Sequence, residues 1–408
     1  MRKIVISGLL ALVALAVAGA NALLPAAAAS AAPLAPPHQG TAGTAFIISG
    51  RISCATENSC LAIGVNVTKS GSFAQVVVAW NGTAWRSVAV PRPNPTVARI
   101  NLAADSCMST TACVVVGTYV TLAGAGAGRP YALAWNGKSL TPTAAPPVPK
   151  NGGFASLTGV SCITTAKNCI AVGESRGGAG PLLMETWNGA KWTLQTASVP
   201  GGARSTYPGA ISCHFETFCV VVGETYASIA GAPGMLLAGW NGKAFTAMKA
   251  AVPAGAATIT LNDVSCPSAT MCAAAGFSAN RSGTSAFGFA EMWNGKSWTA
   301  DKVAPPKGTA ESFLYGVSCR ADATCVAVGS AGSSAATKAT ALSYNGTTWT
   351  AQTVPGPGTG TSSEFFGVNC LRANQCVAIG ETISSRPSTA TPLGGLWNGA
   401  AWRLVAAP

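Results

Sequence analysis

Seven times along this chain, three small apolar residues stand between a cysteine and a glycine, as in Cys325-Val326-Ala327-Val328-Gly329. A run apolar at consecutive positions suits a strand buried on both faces, whereas a strand with one wet face would alternate. The glycines that close these runs are Gly64, Gly117, Gly173, Gly223, Gly276, Gly329 and Gly380. A residue without Cβ at the same place in every copy implies a backbone angle, or a close approach, that other residues resist. Upstream of each run another apolar stretch ends at a second cysteine, for example Phe313-Leu314-Tyr315-Gly316-Val317-Ser318-Cys319. Downstream, a third and a fourth strand meet at Asn-Gly. That dipeptide predicts a two-residue type I′ hairpin, which in the fifth copy pairs Trp293 with Lys296; a four-residue turn would pair Trp293 with Trp298 instead. Either turn leaves the two indoles on one face of the sheet.

All eleven tryptophans occupy these two positions. Trp80, Trp135, Trp187, Trp240, Trp293 and Trp397 precede the turn, and Trp85, Trp192, Trp298, Trp349 and Trp402 follow it, with Tyr344, Leu140 and Phe245 in the other slots. Packing within the repeat therefore accounts for every indole, and none is left over as a platform for a sugar ring. Val-Pro pairs such as Val90-Pro91 and Val354-Pro355 end the fourth strand, since proline cannot donate to a ladder. From the last aromatic slot to the next cysteine every linker spans 21 or 22 residues, and first cysteines recur every 51 to 55 residues. Four strands per copy at that period predict an all-β, seven-bladed propeller of four antiparallel strands per blade, over residues 46–408.

Residues 1–31 read as an export signal: Arg2 and Lys3, an apolar run from Ile4 to Ala20, and Ala29-Ser30-Ala31 as cleavage site. Residues 32–45 would form an N-terminal extension, and the product is expected outside the cell with no stable membrane insertion. Export makes the fourteen cysteines legible as disulfides. The pairs are Cys54/Cys60, Cys107/Cys113, Cys162/Cys169, Cys213/Cys219, Cys266/Cys272, Cys319/Cys325 and Cys370/Cys376, each closing its own hairpin. Zinc would want cysteines two to four residues apart with more histidine than His38 and His214, so no metal and no cofactor is expected. A loop this short contributes about 2 kcal/mol per bridge by chain entropy, as a staple on the hairpin.

The quoted motifs resemble those of a family of secreted repeat proteins typical of actinobacteria, with units of the form Val-Ser-Cys-Pro-Ser followed by Trp-Asn-Gly-x-x-Trp. The fifth copy matches from Val264-Ser265-Cys266-Pro267-Ser268 to Trp293-Asn294-Gly295-Lys296-Ser297-Trp298. The resemblance covers nearly all of the chain after the export signal and implies a propeller without implying an activity. Kelch-type propellers are similar more distantly; this chain has one glycine where they have two. Asp-box propellers, which include sialidases, share a Gly-x-x-Trp turn, but Trp293 stands where their aspartate would.

Without Arg2 and Lys3 the chain carries 23 basic and 13 acidic residues, a net charge of +10 that favours acidic partners. The strand-two-to-three segments and the blade-to-blade linkers share the more variable face. Basic residues there, Lys69, Arg129, Arg176, Arg281, Lys338 and Arg386, with Arg204 in a linker, form a candidate rim for an anionic glycan, a cell-surface polymer or a protein. Three copies place an acid after the strand-ending glycine: Glu174, Glu224 and Glu381. Glu174, Glu224, Tyr226 and Arg204 are the residues a carbohydrate-active hydrolase or lyase would use, with Tyr207 beside Arg204 in the preceding linker, although no full constellation of acid, nucleophile and clamp is visible. His214 lies in a cysteine turn on the opposite face. Basic residues scattered singly do not fit nucleic acid. The sequence thus predicts a monomeric recognition or scaffold module, with an enzyme as the alternative.

Overall fold

The computed structural model describes residues 45–408 apart from 68–72, 123–126, 150–152, 177–181, 196–202, 204, 227–233, 254–255, 281–284, 302, 304–308, 334–335, 357, 359–360, 386–387 and 407–408. The expected export segment 1–31 lies outside the described residues. Twenty-eight strands form seven antiparallel sheets, each of four consecutive strands in simple sequential order. The first blade comprises Ala45–Thr56, Ser59–Val67, Phe73–Trp80 and Trp85–Val88, and the seventh Thr361–Arg372, Gln375–Ser385, Ser388–Trp397 and Trp402–Ala406. The first strand of each blade packs on the first strands of its two neighbours, and that of blade seven returns to that of blade one. The chain is a seven-bladed propeller with one local disulfide in each blade.

All seven cysteine pairings follow the sequence expectation: Cys54–Cys60, Cys107–Cys113, Cys162–Cys169, Cys213–Cys219, Cys266–Cys272, Cys319–Cys325 and Cys370–Cys376, with Cα atoms 3.9 to 4.1 Å apart. Each bridge staples its hairpin as expected and does more besides. The second half-cystines, Cys60, Cys113, Cys169, Cys219, Cys272, Cys325 and Cys376, are core residues, at most 3% exposed. Each lies in the apolar cluster that its own blade shares with the preceding one: Cys60 with Val377 and Ile379 of blade seven, Cys113 with Leu61 and Val77, Cys169 with Val114, Cys219 with Val172, and Cys272 with Val222. The physical reason is the pleat. Residues paired directly across an antiparallel ladder point to one side of the sheet, and here that side faces the neighbouring blade, so the sulfurs fill the seam as well as closing the turn.

The doubly apolar second strands follow from the same geometry, because each face meets a different neighbour. In blade three, Ala171 packs toward blade two with Val114 and Val116, while Ile170 and Val172 pack toward blade four with Val221 and Leu236. Opposite each strand-ending glycine the first strand carries an irregularity in register, as between Leu314 and Gly316. A Cβ on Gly329 would stand 1.8 Å from the Phe313 carbonyl oxygen, and one on Gly380 1.8 Å from that of Glu364. Close backbone approach at a bulge, repeated around the ring, is what fixes glycine there.

The Asn-Gly hairpins differ from the two-residue form. Trp293 pairs directly with Trp298, so the turn holds four residues. Glycine takes φ near +90° while the asparagine does not enter the left-handed region. Instead the Asn294 Oδ1 accepts from the amides of Lys296 and Ser297, both at 2.9 Å, and all seven copies repeat the pattern. A side chain that mimics a backbone acceptor makes the wider turn as well ordered as a type I′ one. The paired indoles sit with centroids 5.2 to 5.7 Å apart. In five blades the indole N–H before the turn also donates to the carbonyl three residues after the first cysteine, as Trp80 does to Glu57 and Trp240 to Glu216. The two hairpins of a blade are thereby tied together.

Candidate binding faces and the closed axis

Three residues before each first cysteine, the inner strands carry Arg51, Ala104, Gly159, Ala210, Asp263, Gly316 and Gly367. Five of these are small, which lets the strands converge: a Cβ on Gly316 would lie 3.0 Å from the Gly367 Cα. The other two form an ion pair in which the Arg51 guanidinium donates to the Asp263 carboxylate. It donates further to the carbonyls of Gly209 at 3.0 Å and Asn262 at 2.9 Å. Asp263 in turn accepts from the amides of Val264 at 2.8 Å and Val317 at 2.9 Å. Blades one and five are not neighbours in the ring, so this pair crosses its centre. Next to it, Asp105 occupies a core position that six other copies fill with Ile52, Val160, Ile211, Val264, Val317 and Val368. Burial pushes its carboxyl well above the usual range, with the Arg51 charge acting in the opposite direction.

On the variable face, Arg129 and Lys338 are exposed, and both belong to third strands, Gly128–Trp135 and Ala336–Tyr344, rather than to loops. Arg176 ends the strand Thr165–Arg176. Lys69, Arg204, Arg281 and Arg386 lie outside the described residues.

The acids anticipated on this face divide into two groups. Tyr226 donates to the Glu224 carboxylate at 2.8 Å, and Tyr207 meets Tyr226 edge-on with centroids 5.2 Å apart. Burial and the Glu224 charge hold the Tyr226 phenol above its ordinary range, so it serves as a hydrogen-bond donor. Glu174 and Glu381, by contrast, are buried. Directly across the ladder from Glu381 stands Glu364, also buried, with Tyr315 and Ser330 of blade six hydrogen-bonding toward it. Burial pushes Glu364 up to about 7 and Glu381 up to about 8, the second aided by the charge of the first.

Sequence reasoning missed Glu364, and it missed Glu185 and Glu291. The latter two sit on third strands, where other copies carry Val78, Leu133, Ala238, Leu342 and Gly395. Both are fully buried, without hydrogen bonds to their carboxyl oxygens, and burial raises them to about 8 and about 7. The signal that would have found them is a carboxylate in two copies at a position that the other five fill with apolar residues or glycine. His214 lies on the turn face against the exposed ring of Phe215, centroids 4.0 Å apart.

No family model matches the chain, and no curated protein matches it. Solved structures do. A PL25 ulvan lyase bound to -[GlcA(1-4)Rha3S]- is similar over 89% of this chain and 96% of its own, at 8% identity and TM-score 0.54. The β-propeller domain of the Trilobed protease from Pyrococcus furiosus, described as having an open velcro topology, aligns over 88% and 97% at 8% identity and TM-score 0.50. YCF48 bound to D1 peptide aligns over 90% and 95% at 11% identity and TM-score 0.48. Likeness at such identity establishes the propeller architecture alone.

Proposed function

We propose that this chain is a secreted, non-enzymatic recognition propeller that binds an anionic extracellular or cell-envelope polymer, foremost a glycan bearing acidic groups. One observation carries the reading. Among the side chains the structure describes, seven acids are buried, namely Asp105, Glu174, Glu185, Asp263, Glu291, Glu364 and Glu381, whereas no lysine or arginine is. The outer surface is therefore more basic than the composition, and such a field concentrates polyanions. The buried acids are also the wrong kind for glycosidic chemistry, since a catalytic pair must flank an accessible bond.

The enzymatic reading keeps one observation in its favour, the Tyr226 to Glu224 hydrogen bond with Tyr207 beside it. A glycan array probed with the oxidised protein at low and high salt separates the two. Salt-sensitive binding to acidic glycans without cleavage is expected. Salt-resistant binding to neutral sugars contradicts the charge-based reading, and cleavage of any array sugar contradicts the non-enzymatic one.

A further inference from the structure

Both short turns of every blade, the cysteine turn and the Asn-Gly turn, open on the face opposite the variable loops. On the Asn-Gly tips of four successive blades stand lysines: Lys138, Lys191, Lys243 and Lys296, in blades two to five, and all four are exposed. Lys138, Lys243 and Lys296 hold the third turn position and Lys191 the fourth. Blades six and seven carry Thr347 and Ala400 at that third position, so the turn lysines form an arc over four blades. Blades one and seven add an exposed arginine just after the turn, Arg86 and Arg403. The Arg86 guanidinium reaches across to the Gly137 and Lys138 carbonyls at 3.3 Å and lies 5.2 Å from the centre of the Trp135 ring.

Two further observations show that this arc is available and ordered. The exposed acids of the turn face are already engaged: Glu57 with Gln375, Glu216 with Asn168, and Asp322 with Arg320 and Thr324. Among the described residues no ion pair involves the four lysines. Their backbone is held in place, because the asparagine Oδ1 of each turn accepts from the amide of the lysine itself, at 2.9 to 3.0 Å. Charges on ordered turn tips lose little conformational freedom on binding beyond their own rotamers, and several weak contacts on one chain reinforce each other.

We infer that the turn face is the polymer-binding surface, with Lys138, Lys191, Lys243 and Lys296 contacting successive anionic groups of one extended extracellular polyanion. The inference rests on the reading above and adds the face, the residues and the linear, repetitively charged nature of the ligand.

The test uses the full oxidised protein and three labelled probes: hyaluronan for carboxylates, inorganic polyphosphate for phosphates, and neutral dextran. Anisotropy titrations compare the wild type, the quadruple variant Lys138→Gln, Lys191→Gln, Lys243→Gln, Lys296→Gln, and the opposite-face double variant Arg129→Gln, Lys338→Gln. All six positions are exposed, and an unchanged melting temperature checks that each variant folds. The quadruple variant should lose roughly tenfold or more in affinity for one or both polyanions, with a shallower salt dependence. If the double variant shows that loss and the quadruple variant binds like the wild type, the polymer-binding reading stands and the turn-face assignment falls. If the wild type binds neither polyanion at low salt, or binds dextran as well as either, the reading beneath it falls too.

Discussion

Glu185 and Glu291 are the clearest single-residue statements in this protein. Each is surrounded by blade-to-blade packing without a hydrogen-bond partner for its carboxyl oxygens, so the neutral acid is the form that the fold accommodates. Their folded-state values, about 8 and about 7, lie above the ordinary 4.5. A raised value means that their contribution to stability is whole below the unfolded-state value and is lost as pH rises through the folded one. Melting temperature should accordingly fall on going from mildly acidic to alkaline buffer, and Glu185→Gln with Glu291→Gln should flatten that slope. A slope unchanged in the double variant would show that neither residue is protonated in the fold. A second residue-scale prediction concerns Gly329. Its missing Cβ would fall 1.8 Å from a backbone oxygen, a contact that no side-chain rearrangement relieves, so Gly329→Ala should cost about 3 kcal/mol or more in chemical denaturation.

Among elements, the recurring device is a hydrogen bond between blades. The serine before each first cysteine offers its hydroxyl oxygen to the amide of the next blade's first cysteine: Ser53 to Cys107, Ser106 to Cys162, Ser161 to Cys213, Ser212 to Cys266, Ser265 to Cys319 and Ser318 to Cys370, at 2.8 to 3.0 Å. The seventh copy has Asn369 in place of serine, and its side-chain oxygen is buried without a partner. The serine in the Ser-Cys motif is thus an inter-blade fastener, and the seam between blades seven and one is where it is missing. Ser265→Ala should destabilise by about 1 kcal/mol through the orphaned Cys319 amide. Asn369→Ser should act in the opposite direction, raising the melting temperature and slowing amide exchange in blade one. A lower melting temperature in that variant would mean that asparagine is the better residue at the seam.

For the molecule as a whole, the seam must be closed by other means, because blade seven forms its four strands from its own chain segment and exchanges none with blade one. Ile52, Cys54, Ala62 and Val78 of blade one pack with Val377 and Ile379 of blade seven, and Gln375 bonds to Glu57 across the gap. The Arg51 to Asp263 pair adds a tie through the centre, anchoring blade one to blades four and five. Removing one member of a partly buried, charge-assisted network costs more than removing a surface arginine. Arg51→Ala should therefore lower stability by about 3 kcal/mol, against less than about 1 for the exposed Arg403→Ala. Exchange protection should be lost first in blade one, and a loss confined to blade five would argue against the tie.

The architecture was legible in the chain because it rests on local rules repeated seven times. Paired cysteines, small apolar triplets, a glycine and aromatics around Asn-Gly each act within a few residues, so blade number, strand count, disulfide pairing and indole packing follow from spacing. The hairpin was legible in its aromatic pairing but not in its turn type, since Asn-Gly serves a type I′ turn and a side-chain-capped wider turn equally well. The bridges were legible as pairs but not as part of the seams, because which side of a sheet meets a neighbour is settled only when blades stack. What only the tertiary structure decided is the meaning of residues that break the repeat. Arg51, Asp105, Asp263 and Glu364 each differ from their counterparts in other copies, Glu185 and Glu291 share a position that is apolar or glycine in the other five, and their surroundings come in part from other blades. Ring closure brings Arg51 to Asp263 across 212 positions, and no local pattern encodes that distance. It is also ring closure that buries the acids and leaves the lysines outside, because folding sorts charge by position in three dimensions, which a composition cannot record.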